Sequence, residues 1–164
     1  MIARLCGERA ANLQQARDLC CAEALLTTLA RAFGNEELPE STAVRLGSGF
    51  CKGMGGAGCL CGALAGAQMF NGLLLGPFCQ QGLAKKDFQP LARRLHDDFK
   101  ERFGATCCRS LLKRRKEKQG ASCPELTAGA AELAAAQILD HRPELAAGVD
   151  LEFLQQREEP PKKQ

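Results

Sequence analysis

Apolar residues recur along this chain at the three-to-four spacing of helices, and no stretch of useful length alternates as a strand would. From about Ala3 to Phe33 a stripe runs through Leu13, Ala16 and Cys20 into Cys21, Leu25, Leu29 and Phe33, and Gly34 ends it as a C-cap. Pro39 sits where a first helical turn begins, with Ala43 and Leu46 lining a short helix before Gly47. After a glycine-rich segment, CLCGALAGAQMFNGLLLG reads as a central, buried helix whose small residues permit close approach. Pro77 and Gly82 bracket a connector, and Phe88, Leu91, Leu95, Phe99 and Phe103 then form an amphipathic stripe ending at Gly104. A short helix is expected from Cys107 to about Lys113. Ser122 and Glu125 make an S-x-x-E capping box that opens a helix with Leu126, Ala130, Ala134 and Ile138 on one face.

These elements predict an all-α fold, a compact bundle of about five or six helices around a glycine-rich, cysteine-containing loop. Residues 1–142 read as a single helical cysteine-rich domain. Residues 143–164, broken by Pro143 and Gly148 and ending in charge and proline, read as a C-terminal extension that is partly flexible.

Charge and composition narrow the function. A net charge of +3 with no Trp or Tyr leaves little for nucleic-acid binding. The most apolar run, Leu60 to Leu75, is short for a membrane span and carries Gln68 and Asn71. No signal peptide is visible at the start, so a cytoplasmic, reducing setting is expected, with the ten cysteines kept as thiols. The basic segment Lys113, Arg114, Arg115, Lys116 and Lys118 reads as a solvated turn, with docking of an acidic partner as the alternative. Small apolar helices would also support a homodimer.

The chemistry concentrates between Gly47 and Gly66, GSGFCKGMGGAGCLCGALAG, where a permissive backbone accompanies Cys51, Cys59 and Cys61. GMGGAG fits the dinucleotide fingerprint by letter, but no βαβ pattern surrounds it and the next acid, Asp87, is too distant. His96 and His141 read as surface residues. No C-x-x-C occurs, and the adjacent pairs Cys20–Cys21 and Cys107–Cys108, if helical, point about 100° apart, one member inward. Cys6, Cys20, Cys79 and Cys107 read as small buried hydrophobes.

From CCAEAL through CGALAG to the G-x-x-x-C-R-x-L segment at Gly104, Cys108, Arg109 and Leu111, the chain resembles the small redox-active proteins described by the pattern C_GCAxxG_C_C. The resemblance covers about Cys20 to Ile138 and selects Cys21, Cys61, Cys108 and Cys123. Because the domain also occurs in split-Soret-type cytochromes, it implies an iron–sulfur cluster on those four thiolates, with Zn or Cu(I) as the alternative metals. Haem is not implied, since C-x-x-C-H is absent. Cys51 and Cys59 depart from the family pattern and are possible additional ligands. The implied role is electron transfer to a redox partner protein, or redox sensing, rather than stand-alone catalysis. The alternative is a cofactor-free thiol/disulfide or soft-metal-binding protein.

Overall fold

The stripe from Leu13 to Phe33 is not one helix but two, α1 (Ile2–Ala16) and α2 (Cys21–Ala32). No Gly or Pro marks the break. Asp18 takes a left-handed φ of 53°, which a short polar side chain tolerates better than most, and Cys20 is extended, with φ −68° and ψ 160°. In the computed structural model, which describes residues 1–160, six further helices follow: α3 (Glu40–Gly47), α4 (Gly62–Leu75), α5 (Lys85–Phe103), α6 (Cys108–Lys116), α7 (Cys123–His141) and α8 (Leu151–Gln155). Two 3₁₀ segments, Ser48–Phe50 and Pro143–Gly148, complete the described residues, which hold no strand. The all-α class is as expected. The helix number exceeds the expected five or six because the first stripe is divided and the C-terminal segment forms α8.

Helix α2 is buried on nearly every side, and α1, α3, α4 and α7 pack around it. Helix α4 is buried over most of its length, and its polar Asn71 donates to Gln137 of α7 at 2.8 Å across the core. The α5 stripe buries Leu91, Leu95 and Phe99, and Gly104 closes the helix at φ 81°, its N–H on the Lys100 carbonyl at 2.7 Å. At α7 the capping box forms in both directions: the Ser122 N–H donates to Glu125 Oε2 at 2.7 Å, and the Glu125 N–H to Ser122 Oγ at 3.4 Å. Among the described residues no helix is long and apolar enough to cross a membrane.

Within the C-terminal segment, Asp150 caps α8 by accepting the Phe153 N–H at 2.9 Å, and Phe153 and Leu154 are buried. The Phe153 ring lies under the guanidinium groups of Arg9 and Arg31, at 4.7 and 4.2 Å. Arg9 is fully buried, and its charge is met by Glu158, which accepts from Arg9 Nη2 at 2.7 Å and from Arg17 Nε at 2.7 Å. Arg17 belongs to the turn that leads into Cys20 and Cys21, so this clasp holds the entry to α2. The fraying expected of the last residues falls partly on 161–164, outside the described residues.

The hydrogen bond from Arg17, then that from Arg9, holds the Glu158 carboxyl at about 2, against an ordinary 4.5. A depressed folded-state value stabilises the fold above pH 4.5, and that stabilisation is lost as pH falls through the window towards 2. Glu158 is about a third exposed, so solvent screening keeps the expected cost of Glu158→Gln at about 1–2 kcal/mol at pH 7. Denaturant unfolding at pH 7 and near pH 2.5 checks this: the gap between wild type and variant should narrow in acid.

Candidate functional site

Four cysteines stand at four helix starts. Cys21, Cys108 and Cys123 are the first residues of α2, α6 and α7, and Cys61 is the N-cap of α4. All four line one cavity of about 560 Å³. Leu19, Leu111, Leu112 and Leu126 supply its apolar walls, Gly56 and Gly58 one edge, and Lys52 and Arg109 its cationic positions.

Backbone pairing ties together the two segments that carry Cys61 and Cys108. The Cys61 N–H donates to the Thr106 carbonyl at 2.8 Å, the Cys108 N–H to Cys59 at 2.6 Å and the Arg109 N–H to Gly58 at 3.0 Å. This short antiparallel contact, centred on Leu60 and Cys107, ties the glycine-rich loop to the start of α6. Two glycines make the convergence possible. A Cβ on Gly62 would lie 2.6 Å from the Cys21 sulfur, and one on Gly53, at φ +70°, would lie 2.6 Å from Cys108 Cβ.

Burial pushes the Cys21 thiol up to about 12, with the neighbouring Cys61, Cys123 and Cys108 adding to it and the Ala22 N–H opposing. Cys61 is raised chiefly by burial against the N–H groups of Leu64 and Ala63, and Cys108 by burial and then by Cys123 and Cys107. These groups sense one another, but at a distance. Among the described residues the one set of three or more Cys, His, Asp or Glu ligand atoms lying mutually within 4.8 Å is Cys20, Glu23 and Cys51; no three of the four cavity thiols do so. Thiolates around a single tetrahedral zinc would lie roughly 3.8 Å apart. The donor set suits a soft, thiophilic metal or cluster.

The other cysteines depart from expectation: of the four read as small buried hydrophobes only Cys6 is buried, and Cys20, Cys79 and Cys107 are half-buried. Cys20 is disulfide-bonded to Cys51, with Cα atoms 5.5 Å apart, so the expected uniform thiol state and the reading of Cys20 as a buried hydrophobe are both corrected. Cys20 is not on the helix but in the extended N-cap, which lets it border the cavity together with Cys21 rather than pointing away. Cys51 and Cys59 do not line the cavity; Cys59 is exposed. Cys107, also an extended N-cap, donates its thiol to the Gly58 carbonyl at 2.9 Å. Cys79 is half-buried, its thiol on the Leu74 carbonyl at 3.1 Å, and Cys6 is buried. His96 is an exposed partner of Asp97. The G-x-G-x-x-G letters fall in a loop with no strand before it, where Lys52, Gly53, Met54, Gly55, Gly56 and Gly58 all have positive φ. Sequence spacing carried no signal for Lys52 at the cavity or for the Cys20–Cys51 bond.

A family model described as "Putative redox-active protein (C_GCAxxG_C_C)" matches residues 19–137, and the chain belongs to that family. Comparison with curated proteins and with solved structures finds no match.

Gly62 follows Cys61 in the CGALAG motif. Gly62→Ala gains at most about 1 kcal/mol of helix propensity but crowds the Cys21 sulfur and the Phe50 carbonyl, 3.0 Å away, at about 1–3 kcal/mol. Net destabilisation in chemical denaturation is expected, with the Cys21 thiol displaced and more open to alkylation than in wild type.

Proposed function

We propose that this member of the family binds an iron–sulfur cluster through Cys21, Cys61, Cys108 and Cys123 and passes single electrons to a partner protein in the cytoplasm. The observation that carries the reading is the meeting of four cysteines from four separate helix starts in one largely apolar cavity. Bound there, a cluster would supply a one-electron couple. The protein's own contribution is to fix the four sulfurs, to direct the Ala22, Ala63 and Leu64 N–H groups at two of them, and to limit water around them. With all four donors being thiols, no position is set aside for a substrate, which favours electron transfer or sensing over catalysis.

The partner's chemistry follows from α6. That helix begins at cavity residue Cys108, continues through Arg109, and ends in Lys113, Arg114, Arg115 and Lys116. With Lys52 and Arg109 at the cavity itself, this helix adds positive charge suited to an acidic redox protein.

Protein purified anaerobically from iron-replete cells is expected to contain iron and acid-labile sulfide and to absorb visible light. Single Cys→Ser replacements at positions 21, 61, 108 and 123 should each lose most of that iron, whereas Cys59→Ser should keep it. A colourless preparation with one zinc per chain would sink the cluster and leave a structural metal site.

A further inference from the structure

Beside the cavity lies a pair of cysteines that the four-thiol site does not use. Cys20 and Cys51 are joined by a disulfide, and both residues are half-buried rather than sealed in the core. Glu23 lies beside the pair: its Oε2 accepts the Cys20 N–H at 2.7 Å, and its Oε1 is 3.9 Å from the Cys51 sulfur.

The fold does not need this bond as a staple. The bond closes a separation of 31 residues, but packing already holds the segment within it. Helix α3 lies on α2 so closely that a Cβ on Gly47 would come within 2.7 Å of the Glu23 backbone nitrogen, and Ala43 is fully buried between them. The far end of the glycine-rich loop is fixed independently, by the hydrogen bonds from Cys108 and Arg109. Opening the disulfide would therefore leave the core and both loop anchors in place.

We propose that Cys20 and Cys51 form a second redox centre, a dithiol/disulfide couple that exchanges an electron pair with an external dithiol next to the four-cysteine cavity. In the reducing direction a sulfur of the external dithiol bonds to Cys51, the Cys20–Cys51 bond breaks, and Cys20 leaves with the bonding pair and takes up a proton. The second sulfur of the reagent then displaces Cys51, which is likewise protonated, and the reagent closes its own disulfide. Two electrons and two protons pass from the dithiol to the pair; oxidation is the reverse. The departing Cys20 sulfur belongs to the N-cap of the 12-residue helix α2. The couple stands on these geometric facts and not on what the cavity holds.

The test uses the full chain under native conditions. The protein is equilibrated with mixtures of reduced and oxidised dithiothreitol, trapped by alkylation, and each cysteine is read by peptide mass spectrometry. Cys20 and Cys51 are expected to become labelled together in one transition set by the reagent ratio, at a rate that rises in proportion to dithiothreitol. Cys59→Ser should not move that transition, and iron content, measured in parallel, reports the cluster separately. A bond that opens only at the dithiol-independent rate of global unfolding would make it a structural staple and overturn the proposal. Two cysteines that label independently, or that stay reduced in every mixture, would also overturn it.

Discussion

The constraint on which this molecule turns is that four helices begin at one place. Each helix start directs N–H groups and partial positive charge at a cavity whose walls are largely apolar; capping boxes with Glu23 and Glu125 answer part of it at α2 and α7, and no side chain caps α4 or α6. Leucine cannot answer that charge. Cysteine can, because its sulfur is apolar enough to be buried and acidic enough to become an anion when something rewards it. Yet four thiolates overshoot, and with only protein around them burial keeps Cys21, Cys61 and Cys108 protonated. A cationic core between the sulfurs, as in the proposed cluster, would balance the sum. The helices and the thiols thus define together the kind of group that fits.

The glycine-rich loop serves that convergence rather than a nucleotide. A run of left-handed residues from Lys52 to Gly56 includes two with side chains, Lys52 and Met54, each adopting a conformation that costs roughly 1–2 kcal/mol. Such a path persists only where its ends are fixed. Here the close packing of α3 on α2 fixes one end, and Gly58 and Cys59 accept hydrogen bonds from α6 at the other. The reward for the strained path is proximity: Gly53 comes against Cys108 where no side chain would fit, and Gly56 and Gly58 form part of the cavity wall.

What could be read from sequence was what local chemistry decides. The α5 stripe, the Ser122–Glu125 box and the C-cap at Gly104 depend on residues within a few positions of one another, and each forms where the pattern predicted. The family motif separated Cys21 from Cys20 and Cys108 from Cys107, and those chosen are the helix-start residues in the cavity. Periodicity missed the break at Asp18, because a left-handed aspartate leaves no mark in a hydrophobic pattern. It also missed the contact that ties the Cys61 segment to the start of α6, since three residues on each side are too few to alternate visibly. The Cys20–Cys51 bond was illegible for a different reason: which of ten cysteines meet is decided by how the loop folds back, and spacing says nothing of that.

Two kinds of sulfur chemistry therefore adjoin at the start of α2, and the backbone separates them. Cys21 begins the helix and turns into the cavity under Gly62, while Cys20, one residue earlier and still extended, reaches sideways to the loop. Had both been helical, about 100° would have parted them and only one could have reached this space. Because the break between α1 and α2 falls just before them, both do. The Glu158 clasp on Arg17 holds that break in position, so a C-terminal carboxylate far along the chain fixes the geometry at which the two sulfur sites meet.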